Sequence, residues 1–405
     1  MQLGWIDFSK EDREKVLDVI NLLQEEGAVD ELGIGVIRDA FSNYFFPGTS
    51  TVQTRAKYLL IVPYILKEAA DGRYGNDFLQ IMKRIDMEEK NCGLLFMKNC
   101  SNEEGIIGKR VLPNAWVSRK PSNIYWNGIR TLGIFSDNSI SISEYISLST
   151  TIRKQKKNQV NLGNRNDSNE ENESDDTDAV GTQMIPYFTL PDTYKTDWRE
   201  NLSIQLNQDE AVFLRKQILK SIPETLFAYL LKENIDIDRY ESFEALYMEL
   251  KNSIPEEMEQ MMKLACDFSR LVYVARIRYN LMLSDFQNEE ALDEWEIYKK
   301  RLKEVADVDL EQIYEKLDIR NYGVKKFLNQ LRDALLSNDI DGINGIDRII
   351  RNREKDIKGA NRAKLNHVGD YDYQSWIGGK WLDFRFFDAC KIIRDIYQGE
   401  ERADV

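Results

Sequence analysis

Apolar residues recur along this chain at the three- and four-residue spacing of a helix face, broken by polar clusters rich in Pro, Gly, Asn and Asp. Ser9 and Asp12 stand ahead of Val16, Leu17, Val19, Ile20, Leu22 and Leu23 and predict a capped first helix. Residues 30–46 read as a helix with Leu32, Ile34, Val36, Ile37 and Phe41 apolar, and Pro47 with Gly48 ends the run. Ser50 or Thr51 then caps a helix through Ala56, Leu59, Leu60 and Ile65, with a kink expected at Pro63. Asp77 to Asn99 reads as another amphipathic helix, and Pro121 suits the first turn of one through Ile124, Ile129 and Leu132. Ser141 with Glu144 forms a capping-box pattern and opens a helix that fades over 153–157. Residues 139–143 alternate as a strand would, in competition with that cap.

Helical periodicity continues through 209–220, 222–232, 243–251, a long run from Pro255 to Leu283, then 291–305, 310–317, 324–336, 343–357 and 383–397. No repeat of fixed period appears, so a solenoid is not supported. Between the halves, residues 167–178 hold seven acids in twelve positions and no base. Such a run buries too little apolar surface to offset its chain entropy. The pattern therefore predicts a mostly α protein of two helical lobes: a domain over 1–154, a disordered acidic linker over 155–182 and a second domain over 183–405.

Composition narrows the chemistry. The chain has 405 residues, 42% hydrophobic and 11% aromatic, enough for a sizeable core and incompatible with wholesale disorder. Its net charge of −14 excludes a generic nucleic-acid coat, which needs broad basic surface. The 4 cysteines lack Cys-x-x-Cys spacing and read as reduced thiols of a cytoplasmic protein. No leader pattern opens the sequence, and the longest apolar stretch, Tyr58 to Leu66, is too short to span a bilayer.

Most catalytic motifs are missing, and no metal site or cofactor is expected. The single histidine, His367, rules out sites built on two or more. Gly108-Lys109 is followed by Arg110, with Glu103 where a phosphate-binding loop needs glycine. Gly342 and Gly345 fall at the wrong offsets for Asp339, Asp341 and Asn344 to form a calcium loop. Arg362 and His367 fit Arg-x-x-x-x-His, which resembles the motif of helical HEPN-type ribonucleases; there an Arg and a His serve attack by a ribose 2′-hydroxyl. Any Arg five residues before a His gives that spacing, so the balance lies against an enzyme.

Two basic islands interrupt the acidic background. Residues 105–136 carry Lys109, Arg110, Arg119, Lys120 and Arg130 without an acid, interleaved with Trp116, Tyr125, Trp126 and Phe135. Bases that meet phosphate beside rings that stack on bases make a nucleic-acid pattern, and the helix order over 121–152 fits a helix-turn-helix or winged-helix unit. The competing reading buries the aromatics as core. The second island, 348–364, holds Arg348, Arg351, Arg353, Lys355, Lys358, Arg362 and Lys364 against Glu354 and Asp356. A Gly-aromatic stretch with Tyr371, Tyr373, Trp376, Gly378, Gly379 and Trp381 follows.

Five segments together carry a resemblance: Gly4-Trp5-Ile6-Asp7-Phe8-Ser9, Asp30-Glu31-Leu32-Gly33-Ile34-Gly35, Gln53-Thr54-Arg55-Ala56-Lys57-Tyr58, Pro121-Ser122-Asn123-Ile124-Tyr125-Trp126-Asn127-Gly128, and 376–396. The chain resembles an uncharacterised bacterial family catalogued only as a domain of unknown function (family 6361). The resemblance implies a place in antiviral defence islands beside large helicases, as in Druantia-type antiphage systems, and carries no catalytic residues. It implies an accessory subunit that binds nucleic acid, a helicase or other defence proteins. The alternatives are the helical ribonuclease using Arg362 and His367, and a DNA-binding transcriptional regulator using 121–152.

Overall fold

A computed structural model describes residues 30–163, 187–342, 345–368, 372 and 374–402. The expected helix over 9–23 and the acidic run 167–178 lie outside the described residues, as do Tyr371 and Tyr373. The protein is mostly helical, and among the described residues there is no strand, only a single antiparallel bridge between Phe135 and Phe188. The helices are α1 (Gly35–Phe45), α2 (Tyr58–Ala70), α3 (Phe78–Asn99), α4 (Pro121–Thr131), α5 (Ile142–Gly163), α6 (Gln208–Ser221), α7 (Leu226–Lys232) and α8 (Phe243–Leu250). They continue as α9 (Glu256–Leu283), α10 (Glu289–Tyr298), α11 (Leu302–Ala306), α12 (Leu310–Lys316), α13 (Tyr322–Ser337), α14 (Ile346–Lys358) and α15 (Phe386–Glu400). Among the described residues none is long and apolar enough to cross a membrane.

The helix starts follow local chemistry. Asp77 caps α3 through the Gln80 N–H at 2.8 Å, and Asn207 with Glu210 closes a full capping box on α6. Ser141 and Glu144 exchange the reciprocal bonds expected of them, so the cap wins over the alternating strand pattern. Three expectations change. The second helix starts at Tyr58, not at Ser50 or Thr51, because Thr54, Arg55, the Ala56 N–H and Lys57 bond to Gly105, Asp395 and Glu210 far along the chain. The periodicity over 291–305 splits into α10 and α11. The helix after Ser141 also runs further than its sequence suggests, to Gly163.

The chain divides into two compact units: Met1–Phe41 with Tyr247–Leu382, and Ser42–Leu246 with Asp383–Val405. In the first, α9 is the central element; its C-terminal half is buried on every side, as a helix threaded through a core must be. It packs against α10, α11 and α14, and α14 lies against α13. In the second, α2 plays that part: all but one of its residues are buried, Pro63 included, and α3, α4 and α5 surround it. Gly128 of α4 meets the Gly48 backbone so closely that an added Cβ would lie 2.7 Å from the Gly48 carbonyl oxygen. An aromatic cluster of Phe45, Phe46, Phe227, Phe243, Phe384 and Phe386 completes this core. Each fully buried ring or aliphatic side chain contributes about 1.5–3 kcal/mol by leaving water.

Candidate functional site

The N-terminal basic island is largely absorbed by its own unit. Tyr125 is fully buried, and its hydroxyl accepts the Thr54 and Arg55 N–H groups at 2.7 and 3.0 Å. Trp126 packs against Phe135 with 4.8 Å between centroids. Arg130 donates to the Asn138 carbonyl at 2.8 Å. Lys120 pairs with Asp86 at 2.8 Å, and the same carboxylate accepts the Trp116 indole N–H. Lys109 is exposed, with its ammonium on the Ser101 and Glu103 carbonyls; Arg110 and Arg119 are exposed as well. The connection from α4 to α5 runs from Leu132 to Ser141, longer than the roughly three- or four-residue turn of a helix-turn-helix. Trp116 is half-buried, whereas Tyr125, Trp126 and Phe135 are buried, as the core reading has them. Its signal was legible: positions 121, 122, 125, 126 and 129 share one helix face.

The second island is split. Glu354 is fully buried on α14 and draws much of it inward. Its carboxylate accepts the Tyr279 hydroxyl at 2.7 Å and the Lys364 and Leu365 N–H groups at 3.0 Å each. Lys358 lies 3.5 Å from both Glu354 and Glu31. Arg353 donates to the Leu32 and Gly33 carbonyls and covers the Phe327 ring, and burial pulls its pKa down. Arg351 donates to the Leu365 carbonyl at 2.7 Å. Arg362 Nε donates to the Lys358 carbonyl, and His367 Nε2 lies 3.2 Å from the Asn361 carbonyl, both at the surface. The following Gly-aromatic stretch is a packing segment: Trp381 stacks on Tyr273 at 4.1 Å, and Asn280 brackets the Ile377 backbone with two hydrogen bonds.

What remains outward is a groove of about 750 Å³ between α13 and α14. Lys326, Gln330, Arg348 and Asn352 line it, together with Asp333 and Asp356. The first four side chains have no ion pair or hydrogen bond among the described residues. Tyr322, next to the lining residue Gly323, is 77% exposed. Of these, sequence reasoning found Arg348 alone. Lys326 and Gln330 were findable as the positions left over once the apolar face of α13 (Val324, Phe327, Leu328, Leu331) is assigned, and Asn352 once the buried stripe of α14 (Ile346, Ile350, Glu354) is assigned.

The second unit holds a different assembly, centred on residues 53–58. Gln53 donates to the Gly48 carbonyl, and Thr54 Oγ1 to the Gly105 carbonyl. Arg55 Nε contacts both Asp395 oxygens, at 2.9 and 3.0 Å, and its Nη1 reaches Glu103 at 2.9 Å. The Ala56 N–H donates to Asp395 at 2.7 Å. Lys57 Nζ lies 2.6 Å from both oxygens of Glu210, with both side chains buried. Above that pair opens a cavity of about 480 Å³, walled by Tyr64, Tyr194 and Trp198 and edged by Ser203, Gln205 and Gln208. Behind Trp198, Glu68 accepts Arg73, Tyr74, Trp198 and Arg199 together. Burial pushes the Glu68 pKa up, but the bonds from Arg199 and Tyr74 outweigh it and hold the carboxyl below its ordinary value.

A family of unknown function (DUF6361) matches residues 1–172, so the chain is similar to that family over this stretch. No curated protein and no solved structure matches the chain. The matched stretch includes Arg55 and Lys57; the acids that neutralise them within the core, Asp395 and Glu210, lie beyond it.

Proposed function

We propose that this protein is a non-catalytic binding subunit of a bacterial antiphage defence system, contacting nucleic acid through the groove between α13 and α14. The observation that carries the binding surface is the set of unengaged side chains there: Lys326 and Arg348 as phosphate partners, Gln330 and Asn352 as hydrogen-bonding groups, with exposed Tyr322 close by. Cations already paired in the free protein gain little from phosphate, whereas unpaired ones release counterions on binding. An exposed ring beside them offers a stacking surface for an unpaired base. The defence setting rests on the resemblance of the segments named above, and the helicase is its expected protein partner.

The test is fluorescence anisotropy with a labelled single strand, the matching duplex and the matching RNA. Lys326→Glu with Arg348→Glu should weaken binding about tenfold or more and reduce the salt slope by about 1–2. Unchanged binding by the double variant would remove the groove from the proposal. An absence of any binding by the wild type at low salt, with a helicase partner still captured, would make the protein an adaptor that never touches nucleic acid.

A further inference from the structure

We infer that the cavity above the Lys57–Glu210 pair is a binding site for a small nucleobase-containing molecule, a nucleoside or nucleotide. The inference is independent of the nucleic-acid groove, which belongs to the other unit.

The size, wall and floor of the cavity support it. Its volume, about 480 Å³, lies in the range of small-molecule sites. Its wall is a continuous set of three rings, Tyr64 to Tyr194 at 4.7 Å and Tyr64 to Trp198 at 5.3 Å. Trp198 is fixed from behind: its indole N–H donates to Glu68 at 3.1 Å and the Arg199 guanidinium sits 4.1 Å over its ring. A rigid aromatic wall loses little freedom when a flat ring stacks on it.

The floor is polar and charge-balanced. Lys57 and Glu210 neutralise each other, so the floor favours an uncharged ring edge over a free ion. Both still have capacity, because an ammonium has three donors and a carboxylate about four acceptor positions. Tyr64 is only 3% exposed, yet its hydroxyl has no hydrogen-bond partner among the described residues. Burial raises its pKa, with Glu210 nearby, so it stays a neutral group able to donate and accept. Tyr64 lines the cavity, so a ligand there can bond that hydroxyl. Gln205 and Gln208 add amide edges that both donate and accept. Flat faces with a mixed donor and acceptor edge are the chemistry of a nucleobase; a sugar has the edge without the planar faces.

The experiment is calorimetric titration of the full chain with adenosine, guanosine, cytidine, uridine and their 5′-monophosphates, with glucose and maltose as non-planar controls. At least one base-containing compound should bind with Kd below about 1 mM, and the sugars should not. Tyr64→Phe keeps the ring and removes the hydroxyl; it should weaken binding about fivefold with an unchanged thermal midpoint. Tyr194→Ala should weaken it about tenfold or more. Sugars binding as well as nucleosides, no nucleoside or nucleotide binding by wild type, or full affinity in both tyrosine variants would each overturn the inference.

Discussion

The segment 53–58 and the groove between α13 and α14 begin as similar sequence, short basic and polar stretches beside apolar helices, and the fold uses them in opposite ways. In the first, Arg55 and Lys57 point inward, meet Asp395, Glu103 and Glu210, and leave no cation over. In the second, Lys326 and Arg348 are exposed and have no ion pair among the described residues. Paired buried charge specifies a core; unpaired exposed charge waits for a partner. Counting bases along the sequence cannot separate the two, because the deciding acids lie far away in the chain.

The sharpest way to break this contrast is Lys57→Met. It strands the Glu210 carboxylate in the core and should lower unfolding free energy by about 3–5 kcal/mol in urea titration. Adding Glu210→Leu should restore much of that loss. A single variant as stable as wild type would mean the pair is solvated and the contrast wrong.

Glu89 sharpens the same point by pH. It is 2% exposed, accepts the Ser122 N–H at 2.6 Å, and burial pushes its pKa up to about 7 from an ordinary 4.5. Between those values the folded protein holds a proton that the unfolded chain has lost. This group's contribution to stability therefore falls as pH rises from about 4.5 to 7, and the loss is complete above that. Glu89→Gln should remove this contribution and flatten the thermal midpoint over that window. An unaltered pH profile in the variant would show that Glu89 keeps an ordinary pKa.

On the exposed side the expected effects on folding shrink. Lys326→Glu with Arg348→Glu should change unfolding free energy by less than about 0.5 kcal/mol per site, since both cations are exposed and neither has an ion pair or hydrogen bond among the described residues. A larger loss would place them with the structural charges. His367→Ala should leave stability at the wild-type level and, under the proposed defence role, phage protection too, because the ring's one hydrogen bond among the described residues is to the Asn361 carbonyl. Loss of protection by a folded variant would favour the ribonuclease reading instead.

Most helices were legible because their signals are local: Asp77 before Phe78, Pro121 in a first turn, Ser141 with Glu144. The basic islands were legible as composition but not as surfaces. Arg353 and Lys358 look like Arg348 in sequence, and only the helix face separates them: Arg353 reaches the carbonyls of Leu32 and Gly33, and Lys358 reaches Glu31. The Lys57–Glu210 pair spans 153 positions and Arg55–Asp395 spans 340, distances at which a single sequence carries no pairing signal. Glu354 was counted as a stray acid within a basic run, although Ile346, Ile350 and Glu354 share one buried stripe of α14.

The sharing of charge across position 172 bears on how such a protein can be recombined. Transplanting residues 1–172 into another scaffold moves two cations without their core counter-charges, so the graft inherits a desolvation penalty along with the helices. Exchange by domain shuffling therefore requires Glu210 and Asp395, or acids in equivalent places, to travel too. Chimeras that carry them should express as soluble protein where those that omit them do not.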